Sequence, residues 1–342
     1  MSDTRFNPDG LVLSADYART MNEVVLPEIN ARRTDEQIMG DGGRPLFTSR
    51  FDAIPPEGAE RPIGTVMIVH GFTENADKFA ELIHSLLACG ISVLAYDQRG
   101  HGRSWRDPDL AEPSLTHVDD FDEYVRDLEI VVDKRLSAMP KPWFLFAHSM
   151  GGAVSSLYLE RHNGVFQRAA LCAPMIEPNL GGLSVSAARL MCGTMKLLGK
   201  RKQRILASRP YAGPEDFATS AASGKERFDW YDAVKAATPA FQNNGPTYGW
   251  TEQALRANRM LLADGAVEKI ETPVRVFTAE SDGSVMPGAQ KAFVARLKNG
   301  QRILVKGARH EIYRSPDEVL FPWWHEILEY FRGNVDNDGS NG

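Results

Sequence analysis

The feature that most constrains this chain is an alternation. Short apolar, β-branched runs recur at 65–69, 91–96, 143–147, 168–173, 274–279 and 302–306. Stretches with apolar residues at helical spacing separate them, at 77–89, 121–138, 152–162, 288–297 and 316–331. Strands that are apolar throughout, rather than every second residue, are buried on both faces. Interleaved with helices, they predict an α/β fold: a mostly parallel sheet with helices on both sides. A run at 46–51 adds an earlier strand at the sheet's edge, and the residues before Gly40 carry no clear pattern.

The alternation stops between Met175 and about Met260. A helical stretch at 183–198 opens this interval, and Pro- and Gly-punctuated sequence follows as far as Trp250. Insertions of this length between strands are usually functional, so a mostly helical cap is expected over the carboxyl ends of the strands. The expected division is 1–174 and 256–333 for the two parts of the core and 175–255 for the cap. Residues 334–342, rich in Asn, Asp and Gly, are expected to be a disordered tail.

Within this frame, Phe144–Gly152 reads FLFAHSMGG, a run of strand formers ending in Ser149 and followed by two glycines that open a helix. A serine at such a strand-to-helix corner, in a small-x-Ser-x-Gly pattern, is a nucleophile elbow. Ala147 stands where Gly is usual, which still satisfies the demand for a small side chain. The competing reading is a serine that merely caps a helix.

A serine hydroxyl needs a base, and the base needs an orienting carboxylate. His310 follows the last strand and Asp282 the strand before it, giving the order Ser149, Asp282, His310 along the chain. Glu280 is the rival acid, placed nearer the strand body, where a structural role is expected. For the oxyanion of a tetrahedral intermediate the candidate donors are the backbone N–H groups of Met150, after the nucleophile, and Phe72, in the His70-Gly71-Phe72 loop after the first buried strand. His70 is expected to support that loop, and His148 to pack beneath the sheet. The glycine-rich turn at 97–104 lacks the spacing of a phosphate cradle and is read as structural. Tyr248 and Trp250, after a Gly-Pro turn, either join cap to core or also border an acyl tunnel.

Composition narrows the partners. A formal net charge of −6 gives no reason to expect nucleic acid. The remaining histidines show no metal-ligand spacing, so neither metal nor cofactor is expected. The 3 cysteines, without CxxC spacing, suit a reducing compartment, and with no membrane span the cytoplasm is the expected location. Lys196, Lys200, Arg201, Lys202 and Arg204 cluster after the apolar 183–198 stretch. They are read either as a solvated helix end or as a peripheral contact between the cap and an anionic inner membrane.

Taken together, the elbow Ala147–Ala153, the stretch Gly245-Pro246-Thr247-Tyr248-Gly249-Trp250 and the run Val305–Ile312 resemble the α/β-hydrolase superfamily, in its lysophospholipase and monoacylglycerol-lipase branch. The likeness runs from about residue 64 to 331 and is greatest to the bacterial lysophospholipase L2 family, which shares the Ala-for-Gly elbow. It is poor across 180–241. The resemblance implies hydrolysis of the acyl ester of a lysophospholipid or monoacylglycerol. Another carboxylesterase, a thioesterase or a peptidase of the same fold is the alternative, as is a ligand-binding protein that keeps the hydrolase shell.

Overall fold

Six apolar strands run parallel because helices return the chain to the same edge of the sheet after each one. In the computed structural model, which describes residues 3–333, the main sheet contains β1 (Arg33–Met39), β2 (Pro45–Phe51), β3 (Gly64–Val69) and β4 (Ile91–Tyr96). A short β5 (Leu115–Thr116) stands apart, and β6 (Trp143–His148), β7 (Arg168–Cys172), a short β8 (Gly245–Pro246), β9 (Val274–Ser281) and β10 (Gly300–Arg309) follow. The order across the eight-stranded sheet is β1-β2-β4-β3-β6-β7-β9-β10, with β2 antiparallel to both of its neighbours, β1 and β4, and the remaining pairings parallel. The expected tail, 334–342, lies outside the described residues.

The apolar runs of β3, β4, β6, β7 and β9 are buried, as their composition requires, whereas β10 stands at the sheet's edge and leaves Arg302, Leu304 and Lys306 exposed. On β3, Val66 and Ile68 join one core and Met67 and Val69 the other; on β6, Phe144 and Phe146 are set against Leu145 and Ala147 in the same way. The chain-ordered helices α1 (Tyr17–Thr20), α2 (Leu26–Asn30), α3 (Ala80–Ala88), α4 (Asp122–Lys134) and α5 (Met150–Leu159) precede three in the long insertion. Those are α6 (Val185–Leu197), α7 (Lys225–Ala237) and α8 (Tyr248–Leu261); α9 (Pro287–Val294) and α10 (Asp317–Arg332) close the chain. The first core is covered by α3, α10 and the N-terminal helices, the second by α4, α5, α8 and α9.

Several features depart from the sequence expectations. The strand at 45–51 is not the edge: it lies between β4 and β1, an edge strand whose residues Thr34-Asp35-Glu36-Gln37 stay exposed on both faces and which therefore lacks an apolar pattern. The residues before Gly40, without a clear pattern in sequence, form a helical run from Tyr17 to Asn30 that buries Met21, Val25 and Ile29. Helix α7 occupies a stretch read only as punctuated sequence, because its buried face carries Arg227, paired with Glu81 at 2.9 Å and Asp317 at 2.8 Å. The expected boundary at residue 255 falls inside α8.

Every parallel strand presents its carboxyl end at one edge. The loops that follow β3, β6, β9 and β10 carry Phe72, Ser149, Asp282 and His310 there, where ligands bind in open α/β sheets.

Candidate active site

Ser149 sits between the last residue of β6 and the first of α5, with φ 50° and ψ −117°. A non-glycine residue is strained there and persists only when its surroundings hold it. Its N–H donates to Cys172 O at 3.1 Å, and its carbonyl accepts from Met175 N at 2.8 Å and Ala153 N at 3.3 Å. The two glycines behind it answer to close packing. A Cβ on Gly151 would lie 2.2 Å from Val69 O, and one on Gly152 would lie 2.5 Å from Pro174 Cβ. Any side chain at Gly151 would push α5 off β3 and move the serine.

The three residues expected to act together are brought together. His310 Nε2 is 2.9 Å from Ser149 Oγ, and His310 Nδ1 is 2.8 Å from Asp282 Oδ2. The other oxygen of Asp282 accepts from the N–H groups of Ser284 at 2.8 Å and Val285 at 3.0 Å. Burial works against this carboxylate's charge, but the hydrogen bond and charge of His310 and the two backbone donors outweigh it and hold its pKa below the ordinary value. With Asp282 ionised, the proton on His310 belongs on Nδ1, leaving Nε2 to accept from the serine. Glu280 faces away, its carboxylate accepting from Gly307 N at 2.9 Å.

The loop after β3 is fixed by His70. Its Nε2 accepts from Gln98 N at 2.9 Å, which assigns the proton to Nδ1, donated to Gly71 O at 2.7 Å. Burial depresses its pKa and keeps it neutral. This is the supporting role expected of it. Phe72 follows, its ring packed on Trp250 with centroids 4.0 Å apart. Met150, fully buried, opens α5, so its N–H is among those that the helix itself leaves unpaired.

Beneath these groups lies a buried charged network that the sequence reading passed over. Glu74 accepts from Gly71 N at 2.5 Å, from His148 Nδ1 at 2.9 Å, from Lys78 Nζ at 3.1 Å and from the Tyr313 hydroxyl. His148 reaches the other way, with Nε2 3.3 Å from the His310 carbonyl oxygen. It therefore links the loop after β3 to the loop that carries His310 instead of packing beneath the sheet. Burial opposes the charge on each partner. It is overcome by mutual attraction, so His148 titrates above its ordinary value and Glu74 well below its own. Lys78 continues the network to Glu311 at 2.7 Å, and Glu311 to Arg314 at 2.6 Å. The available signal was an acid three residues after Gly71 and a histidine beside the serine, in segments that sequence spacing does not connect.

Of the remaining candidates, Tyr248 and Trp250 lie in the first turn of α8 and are almost wholly buried, with Trp250 Nε1 3.2 Å from Tyr124 Oη. The cation cluster is largely engaged within the protein. Lys202 pairs with Asp107 at 2.8 Å and Asp109 at 3.0 Å, Arg201 with Asp119 at 2.6 Å and Arg204 with Glu112 at 2.7 Å. Lys196 approaches Glu252 at 3.3 Å, and among the described residues only Lys200 of the five makes no ion pair. Apolar side chains on the same segment are exposed as well: Leu190 is 73%, Leu197 90% and Leu206 91% exposed. Among the described residues no helix is long and apolar enough to cross a membrane.

A mostly parallel sheet, a strained serine between strand and helix, and a hydrogen-bonded Ser-His-Asp set define an α/β-hydrolase. The pattern of the Hydrolase_4 family, described as serine aminopeptidase, S33, matches residues 60–317. Lysophospholipase L2 of Escherichia coli strain K12 is 31% identical over 293 residues, covering 80% of this chain and 82% of that protein. Monoglyceride lipase of Homo sapiens is 25% identical over 274 residues, with 78% and 83% covered. The fold superimposes on a soluble variant of monoglyceride lipase from Saccharomyces cerevisiae with a TM-score of 0.67 at 19% identity, covering 86% of this chain and 94% of that one. The chain belongs to the Hydrolase_4 family of α/β-hydrolases, with lysophospholipase L2 and the monoglyceride lipases among its relatives.

Proposed function

We propose that this chain, an ester-hydrolysing serine hydrolase, cleaves the acyl ester of a lysophospholipid or monoacylglycerol through Ser149, His310 and Asp282. The observation that carries the reading is the hydrogen-bond chain from Asp282 through His310 to Ser149, at 2.8 and 2.9 Å. As Ser149 Oγ bonds to the ester carbon, His310 Nε2 takes its proton, and the carbonyl oxygen becomes an oxyanion facing the Met150 and Phe72 N–H groups. The tetrahedral species collapses by breaking the bond to the alcohol, which receives the proton from Nε2. Water then gives a proton to the same nitrogen, attacks the acyl-enzyme and releases the fatty acid and Ser149. Asp282 keeps the imidazole oriented and offsets its charge throughout.

The segment 175–255 serves in this reading as a cap. Its lipid-facing surface is Leu183, Leu190, Leu197, Leu198 and Leu206, apolar side chains exposed along one stretch. Large apolar side chains left exposed along one segment suit an interaction site, and a bilayer holding the substrate fits it. The internal pairing of the cations leaves this contact mainly apolar, made from the cytoplasmic side of the inner membrane. Trp250, packed on Phe72, borders the acyl site, with Tyr248 beside it in α8.

Labelling with a fluorophosphonate, followed by hydrolysis of an acyl-chain and head-group series, tests the reading. Ser149→Ala should abolish labelling and lower kcat by roughly 10⁴–10⁶-fold, Asp282→Asn by about 10⁴-fold, with Glu280→Gln close to wild type. Labelling that survives Ser149→Ala would refute it, and a wild type active only on thioesters or peptides would move the substrate to the alternative class.

A further inference from the structure

His310 follows the least supported of the parallel strands. Among the described residues β10 is an edge strand paired with β9 alone, and that pairing breaks before the histidine. Val305 pairs with Ala279 and the next pair is Arg309 with Ser281, so Lys306-Gly307-Ala308 bulge out against Glu280. A bulge re-aims the side chains that follow it, but it also interrupts the ladder just where placement matters most. From the core side His310 is held by Asp282 and Ser149 at its ring and by His148 at its carbonyl. Its flanks need a second support.

The long insertion supplies it, through the segment 217–224 that precedes α7. Arg309 Nη1 lies 3.1 Å from the carbonyl oxygen of Phe217 and 3.2 Å from those of Ser220 and Ala222. Its guanidinium also stands 5.6 Å from the centroid of the Phe217 ring. Hydrogen bonds from a cation are the stronger kind, and one guanidinium here gathers three carbonyls of a single turn. On the other side of the histidine, Glu311 N–H donates to Ala221 O at 2.9 Å. The grip then continues along the chain. Gly224 N–H donates to Arg314 O at 2.8 Å, and the buried Arg314 donates from Nη2 to Phe228 O at 3.1 Å. A Cβ on Gly224 would lie 2.7 Å from the Ser315 backbone, so the insertion packs directly on the chain that follows His310.

Resting on the proposed role of His310 as the base, we infer that Arg309 is a positioning residue of the reaction. It clamps the insertion onto the flanks of His310 and so keeps Nε2 within reach of Ser149. The insertion thereby completes the catalytic geometry. The test is Arg309→Met, which keeps an unbranched stem and removes every donor, assayed on p-nitrophenyl butyrate, a short soluble ester. Misplacing a reacting group by about 1 Å can cost about 10²-fold, so kcat should fall by about 10–100-fold with KM little changed. The rate at which a fluorophosphonate labels Ser149 should fall in parallel. Gly224→Ala, which leaves Arg309 in place and pushes on the Ser315 backbone, should lower kcat in the same sense, and it decides the question if Arg309→Met does not fold. A residue that only fastened the insertion would lower Tm and spare turnover of a small ester. A folded variant with kcat within about twofold of wild type, or a loss confined to KM, would therefore overturn the inference. Absence of Ser149 labelling in the wild type would instead refute the hydrolase reading beneath it.

Discussion

Glu74→Gln separates the buried network from the reacting groups themselves. Glu74 is 2% exposed and its two oxygens receive four donors, from Gly71, His148, Lys78 and Tyr313. Glutamine keeps one accepting oxygen, turns an NH₂ group toward donors and removes the charge opposite His148 and Lys78. Breaking a buried pair while leaving its partner charged costs about 3–5 kcal/mol. Unfolding entropy near 2.1 cal/mol/K per residue gives about 0.7 kcal/mol/K for a chain of this length, so Tm should fall by about 4–7 °C. Activity should fall too, because the Gly71 N–H that Glu74 holds precedes the proposed donor Phe72. Removing an oxyanion donor outright costs about 10²–10³-fold in kcat, and loosening one should cost about 10–100-fold, with KM for a soluble short-chain ester little changed.

The pH dependence follows with a definite sign. The raised His148 contributes stability that is complete below its unfolded value of 6.5 and lost as pH rises through the higher folded value. The depressed Glu74 contributes stability present above its unfolded value of 4.5 and lost as pH falls through the lower folded one. The Tm deficit of Glu74→Gln should therefore be greatest between about pH 4.5 and 6.5 and shrink at higher pH. Scanning calorimetry and steady-state kinetics on the same preparations measure both effects. A Tm within 1 °C of wild type at pH 6 (about 0.7 kcal/mol at this chain length), together with unchanged kcat, would refute the reasoning.

The remaining expectations are local. Gly151→Ala places a Cβ 2.2 Å from Val69 O and 2.5 Å from His70 O, both backbone atoms, so it should destabilise by at least about 1–3 kcal/mol and reduce kcat as the elbow shifts; thermal melts with kinetics check it. Trp250→Ala should raise KM more for long acyl chains than for short ones, whereas an equal loss at every length with a lower Tm would mean that the ring only joins α8 to the Phe72 loop. Leu190→Ser with Leu197→Ser should weaken flotation with vesicles and change its salt dependence little. Replacing Lys200, Arg201, Lys202 and Arg204 by Gln should chiefly lower Tm by breaking pairs with Asp107, Asp109, Asp119 and Glu112.

Local pattern carried much of this molecule. Apolar runs between helices, Ser149 before Gly151 and Gly152, and the chain order of Ser149, Asp282 and His310 are read within a few residues of each position, because strand burial, tight turns and helix starts are short-range demands. The choice of Asp282 over Glu280 also had a local basis, since a residue beyond the strand's end is free to turn toward the neighbouring loop. Where a signal depends on which segments meet, periodicity is silent. β1 reads as polar because it has one neighbour and most of its side chains are exposed. The pattern of α7 is masked because Arg227 is buried in it, made tolerable only by Glu81 and Asp317 from distant segments. The cation cluster looked like a free patch until folding set acids from residues 107–119 against it. Glu74 and His148, 74 positions apart, become a buried ion pair only because β3 and β6 are neighbours in the sheet. A charge in that place is stable only when its partner is delivered to it, and that delivery belongs to the tertiary structure.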